Sequence, residues 1–255
     1  MSFVWVDDGV TAKGVIERRF DVDRAGRTIP GLIWTPAATP PPALVLLGHG
    51  GMAHKRQGYI VALARRLVRH HGFAAAAIDG PVHGERRADG GSDTAAVGTD
   101  FSQIWRDDPT MTDEMVADWR AVLDALQSPS VLGPTPVGWW GLSMGTIIGL
   151  PVVAAEPRIS VAVLGLMGIV GPTKARLAHD ATLVHCPVLF IVQWDDELFA
   201  RDRAFDLFSA LDTHDKRLHA NPGGHVEVPV DEFVASERFL AKALSPLAGD
   251  AHEAR

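Results

Sequence analysis

The chain has 255 residues, 47% of them hydrophobic and 22% charged, enough to bury a large core, which excludes disordered and low-complexity classes. Lys and Arg number 24 against 31 Asp and Glu, for a formal net charge of −7 with no basic run, so neither nucleic acid nor an anionic membrane surface is an expected partner. Cys186 is the single cysteine, which rules out an internal disulfide and any Cys-based zinc or iron–sulfur site.

Asp7 and Asp8 stand where a secretory signal would still be apolar, and no apolar run approaches the roughly 18 residues of a spanning helix. A cytoplasmic location is expected. One α/β domain can fill this length, so a single domain over residues 1–255 is the expectation.

In chain order, short apolar runs bounded by Gly, Pro or Asp alternate with longer segments of helical period, the pattern of a parallel sheet with crossover helices. An N-terminal hairpin is expected at Val15–Val22 and Thr28–Trp34. Buried strands follow at Ala43–Leu47, Phe73–Ile78, Pro136–Gly141, Val161–Met167 and Val188–Gln193, with a weaker one at Arg217–Ala220. Helical periods run over Arg56–Arg69, Thr112–Leu126, Met144–Ala155, Thr173–Ala178, Arg201–Leu211 and Val230–Leu244. The stretch 83–110, rich in Gly, Asp and Thr, reads as a long loop; its Phe101, Ile104 and Trp105 are unusual for a solvated loop and suggest either a partial lid over a site or a packing role. The tail 245–255 is expected to fray.

The sharpest chemical signal is Gly141-Leu142-Ser143-Met144-Gly145, at the junction of an expected strand and an expected helix. A serine on so tight a turn needs small flanking residues, and it is held out above the sheet with a helix N-terminus behind it to stabilise developing negative charge. The alternative is an ordinary glycine-rich turn with Ser143 as its N-cap.

With this motif in that setting, the chain resembles the α/β-hydrolases over nearly its whole length, in the capless, esterase and dienelactone-hydrolase-like branch. The resemblance implies an α/β-hydrolase fold: a mostly parallel central sheet with helices on both faces, the N-terminal antiparallel hairpin, and no large cap domain, because only Gly168–Pro187 separates the sixth strand from the acid-bearing one. Gly48-His49-Gly50-Gly51-Met52 is similar to the family's oxyanion loop, which implies backbone donors at Gly51 and Met144, with Met52 as the substitute for Gly51; His49 reads as a brace of that loop. Asp79-Gly80-Pro81-Val82-His83-Gly84 resembles a structural turn after the fourth strand, with Val82 where glycine is usual and His83 near the mouth of the site.

The family's chain order places the acid after the nucleophile and before the base. Asp195, Asp196 and Glu197 follow the strand Val188–Gln193, and the family's spacing favours Asp196. Gln193, where glycine would be common, keeps Asp195 in contention, and Glu197 reads as surface charge. The base is His225 in the Gly223-Gly224-His225 loop, with His219 as runner-up; the remaining histidines have no such context. Ser143 in place of an aspartate or cysteine nucleophile implies acyl transfer to water through an acyl-enzyme.

Met52, Met144, Trp194 and Leu198 adjoin the expected site and Trp105 lies in the lid stretch, so an apolar pocket for short to medium uncharged esters is expected, with Met52, Trp194, Leu198 and Trp105 as substrate contacts. Arg56 and Arg86 remain candidate anion contacts, and Trp139 and Trp140 read as core. No cofactor or metal is required. The expected partner is a small-molecule ester, and a homo-oligomer is left open. The same machinery suits a thioesterase or a serine peptidase, and a non-catalytic ligand-binding member would keep the fold without an activated serine.

Overall fold

The computed structural model describes residues 2–91 and 93–245; the tail expected to fray lies, beyond Ser245, outside them. Ten strands form one sheet: β1 (Ser2–Trp5), β2 (Val10–Ala12), β3 (Val15–Arg24), β4 (Arg27–Pro36), β5 (Leu44–Gly48), β6 (Ala74–Ile78), β7 (Val137–Gly141), β8 (Ile159–Gly165), β9 (Val188–Gln193) and β10 (Lys216–Asn221), in spatial order β1-β3-β4-β6-β5-β7-β8-β9-β10, with β2 paired to β3. The expected hairpin is β3–β4, antiparallel to each other, and β4 runs antiparallel to β6. From β6 to β10 every pairing is parallel.

Parallel strands are covered on both faces, which is why β5 to β9 read as unbroken apolar runs rather than alternating ones. The alternation appears in where each side chain goes. Val45, Leu47, Ala75, Ala77, Trp140, Val163 and Ile191 meet α1 (Gly58–His71) and α7 (Val230–Leu244) on one face. Their neighbours Leu44, Leu46, Ala76, Trp139, Leu164 and Phe190 face the opposite core, built with α3 (Met111–Leu126), α4 (Met144–Ala155), α5 (Lys174–Ala181) and α6 (Arg201–Ala210). Trp139 and Trp140 are both core residues, one in each layer. Between β8 and β9 only the eight-residue α5 forms, so there is no cap at that position.

The stretch 83–110 departs from its reading as a loop. It contains a short 3-10 turn at Gly84–Arg86 and a 14-residue helix, α2 (Thr94–Asp107), whose N-cap Asp93 accepts from the Ala95 N–H at 3.0 Å. Val97, Phe101, Ile104 and Trp105 recur at helical spacing; Val97 is buried and Phe101, Ile104 and Trp105 pack on the core, while the surrounding Gly, Asp and Thr mask that period. Trp105 stacks on Phe101 with centroids 6.1 Å apart and donates its indole N–H to Thr173 Oγ1 at 2.8 Å. The edge strands β1 and β2 also go beyond the expected elements, their burial being slight.

Candidate active site

The nucleophile candidate sits where β7 turns into α4. Ser143 has φ +59° and ψ −118°, a left-handed backbone that costs an L-residue about 1–3 kcal/mol and persists only where its surroundings over-determine it. Those surroundings are close. A Cβ on Gly141 would lie 2.6 Å from the Gly145 carbonyl oxygen, and one on Gly145 would lie 2.5 Å from that of Gly48. The Ser143 N–H donates to Gly165 O at 3.0 Å, and the buried Thr146 hydroxyl lies 2.7 Å from the same carbonyl while accepting the Gly165 N–H at 2.8 Å. The elbow is thereby fastened to β8. Ser143 N-caps α4 without using its side chain, so its Oγ is available.

His225, 82 positions downstream, places Nε2 2.9 Å from Ser143 Oγ. Its Nδ1 lies 2.8 Å from Asp196 Oδ2, and Asp196 Oδ1 accepts the Leu198 and Phe199 N–H groups at 2.8 and 2.9 Å. An acceptor-only carboxylate against Nδ1 fixes the proton there and leaves the Nε2 lone pair for the serine. Burial pushes the Asp196 carboxyl up, but hydrogen bonds from His225, Phe199 and Leu198 outweigh it and hold its pKa below the ordinary value. The Phe199 ring meets the imidazole edge-on at 5.4 Å.

The three adjacent acidic residues have three different partners. Asp195 Oδ2 accepts the Gly223 N–H at 3.3 Å, and Glu197 Oε2 accepts the His225 N–H at 2.8 Å. Only Asp196 reaches the imidazole, and Glu197 is more than surface charge. His219 lies on β10 with Nδ1 2.9 Å from Glu232 Oε2, occupied away from Ser143.

The oxyanion-loop candidates divide by their hydrogen bonds. The Met52 N–H, at φ +59°, donates to His83 Nε2 at 3.1 Å, so it is taken. The N–H groups of Gly51 and Met144 have no acceptor among the described residues. The loop is braced from all sides: Gly50 N–H donates to the Tyr59 hydroxyl at 2.7 Å, His49 Nδ1 lies 2.8 Å from Gly50 O, and His49 Nε2 accepts the Gly80 N–H at 2.8 Å. His49 is therefore a brace. His83 is fully buried and bonded to the loop backbone, which corrects its expected place at the mouth. Burial, reinforced by His83, pushes the His49 pKa down to about 4; burial likewise lowers that of His83. Val82, where glycine is usual, has φ +56°. Lys55, fully buried, pairs with the fully buried Asp79 through its ammonium group and donates its backbone N–H to Asp79 at 2.9 Å.

Around the mouth, Met52, Trp194 and Leu198 are each about half exposed, and the Arg201 guanidinium covers the Trp194 ring at 4.2 Å. Met52 also approaches α2, its Sδ lying 3.1 Å from where a Gly98 Cβ would stand. The Met144 side chain, next to the site in sequence, is buried and fills the space that a Cβ on Gly80 would need. Arg56 is paired with Glu17 at 2.5 Å, and Arg86 with Asp118, so neither is a free anion contact. Sequence reasoning did not find Lys55, Tyr59, Thr146 or the role of Glu197; for Glu197 its position beside Asp196 was the available signal. No group of His, Cys, Asp and Glu among the described residues has metal-binding geometry, and no described helix is long and apolar enough to cross a membrane.

No protein-family model and no curated protein matches the chain. Among solved structures, a cold-adapted esterase from an Arctic intertidal metagenomic library, in a PEG-bound complex, is 43% identical over 95% of this chain and all of its own, with a TM-score of 0.86. Acetyl xylan esterase 1 from Thermoanaerobacterium is 14% identical, covering 95% of this chain and 88% of its own at a TM-score of 0.68. The dienelactone hydrolase from Anabaena variabilis is 18% identical, covering 90% and 97% at 0.67; at such identities these two report the fold alone. With a relative this similar along its full length and with this sheet order, the chain belongs to the α/β-hydrolase superfamily.

Proposed function

We propose that this protein is a serine hydrolase that cleaves carboxylic esters through an acyl-enzyme, with Ser143 as nucleophile, His225 as general base and then acid, and Asp196 as the carboxylate that orients it. The observation that carries this reading is the pair of bonds from one imidazole, 2.9 Å to Ser143 Oγ and 2.8 Å to Asp196 Oδ2. His225 Nε2 takes the Oγ proton as oxygen attacks the ester carbonyl, the tetrahedral oxyanion forms at the N–H groups of Gly51 and Met144, and the imidazolium returns the proton to the departing alcohol. Water then repeats the sequence on the acyl-enzyme. Asp196 stays ionised throughout, consistent with its depressed pKa.

Short to medium uncharged esters are the proposed substrates. The half-exposed Met52, Trp194 and Leu198 supply apolar walls, and the pairing of Arg56 and Arg86 removes the candidate anion contacts. The esterase of 43% identity supports the same reaction class. Helix α2, which touches Met52 at Gly98 and carries Trp105, is the partial lid of this proposal, within one domain.

Hydrolysis of p-nitrophenyl esters from acetate to decanoate by the wild type and Ser143→Ala is the test. Turnover should fall about 10⁶-fold in the variant, and the chain length of the peak sizes the pocket that α2 borders. An inert wild type whose Ser143 still reacts with a fluorophosphonate would move the assignment to thioesters or peptides. A wild type that neither turns over nor labels would leave a binding protein.

A further inference from the structure

Gln193 closes β9 three residues before Asp196 and is fully buried. Its Nε2 lies 3.3 Å from Pro222 O, 3.3 Å from Gly224 O and 3.0 Å from Glu227 O. These carbonyls flank His225 on both sides, and all converge on one amide nitrogen. Two N–H bonds serve three acceptors, so one is shared. The amide cannot be reversed, because Oε1 would then face three carbonyl oxygens.

Other bonds also hold the loop: Gly223 O accepts the Asp195 N–H at 3.1 Å, and Gly224 donates to Glu227 Oε2 at 2.7 Å while its carbonyl accepts the Glu227 N–H at 3.0 Å. Residues 222–227 carry no regular secondary structure, Gly223 has φ +103°, and Val226 is 82% exposed. Asp195 and Glu197 restrain the loop's N–H groups at Gly223 and His225. Gln193 restrains the carbonyls from beneath, so the backbone of the histidine loop is gripped by both kinds of polar group. The grip leaves Gln193 Oε1 buried without a partner among the described residues. An apolar side chain would avoid that orphan, but it would leave Pro222 O and Glu227 O with no donor among the described residues, while Gly224 O would keep the Glu227 N–H at 3.0 Å.

We propose that Gln193 is a positioning residue for the general base: its carboxamide fixes the Pro222–Glu227 backbone and so holds His225 Nε2 in line with Ser143 Oγ. The inference rests on the reading of Ser143 and His225 as the ester-cleaving pair. A displacement of about 1 Å in a catalytic group can cost about 10²-fold in rate, and removal of the three-carbonyl anchor permits movement on that scale. Binding of the ester, which uses other walls, should not change.

The experiment is Gln193→Met, which keeps the length of the side chain and removes both donors, assayed with p-nitrophenyl acetate after titration of reactive Ser143 with a fluorophosphonate. Expected is a fall in kcat per titrated site of roughly 10–100-fold at unchanged KM, with the rate of Ser143 labelling falling in parallel and the downfield His225 Nδ1–H proton resonance broadened. A residue important only for folding would lower the number of titratable sites and leave kcat per site intact, which overturns the proposal. Should Gln193→Met fail to fold, Gln193→Asn retracts the donor from the same carbonyls and is read in the same way. An active wild type matched per site by the variant overturns this inference alone; a wild type that neither hydrolyses nor labels overturns the esterase reading and the inference with it.

Discussion

The backbone N–H of Met52 donates to Nε2 of His83 at 3.1 Å, joining the proposed oxyanion loop to the turn after β6. The bond requires the Nε2 lone pair, and the contact of Nδ1 with Pro81 O at 2.7 Å places the ring proton on the other nitrogen. A histidine with the neutral Nδ1–H tautomer thus fixes the residue beside Gly51, the proposed donor. His83→Phe keeps a ring against Phe101 and His49 and deletes the acceptor. Loss of a whole oxyanion donor costs about 10²–10³-fold in kcat, and a displaced donor should cost less, roughly tenfold. Steady-state kinetics on a short ester checks this; unchanged kcat would mean that His83 does not govern the donor.

Two of the three carboxylates after β9 make separable predictions. Asp196→Asn should lower kcat by about 10⁴-fold, because an amide at that place permits the wrong imidazole tautomer. Asp195→Asn, which retains an oxygen that can accept the Gly223 N–H, should leave kcat close to wild type. If the effects were reversed, Asp195 would be the acid.

His49 makes stability depend on pH. Its folded pKa is pushed down to about 4 by burial and by His83, whereas an unfolded histidine titrates near its ordinary value of about 6.5. Between these values the unfolded chain binds the proton and the folded one does not, so stability falls as pH drops from about 6.5 to about 4 and is unaffected by this group above that window. Denaturant midpoints measured across this range should fall with a shallower slope in His49→Asn than in the wild type; equal slopes would assign the pH dependence to other groups.

Much of this architecture was legible in the chain. β9, α4 and α7 coincide with their apolar runs to the residue, since strands buried on both faces and helices facing a sheet leave strong patterns. Helix α2 was hidden because its Val97, Phe101, Ile104 and Trp105 stripe is diluted by Gly98, Thr99, Asp100 and Ser102; a helix of this composition is stabilised by what it packs against rather than by its propensity. Lys55 gave no sign either, because a buried lysine is recognisable only beside the Asp79 that neutralises it.

At the site, the sequence by itself determined the strained turn that carries Ser143, the proposed nucleophile. Gly141 and Gly145 flank Ser143 because a Cβ at either would collide with backbone, and that constraint is written in residue type. The order of the proposed serine, acid and histidine came instead from the resemblance to the family. What only the tertiary structure decided was which polar groups meet: Asp196 rather than Asp195 on the imidazole, His83 rather than solvent on the Met52 N–H, and Gln193 beneath the histidine loop. Side chains one residue apart in sequence point in different directions at the end of a strand, and hydrogen bonds act over about 3 Å. A choice between neighbours at that distance is made by the folded backbone.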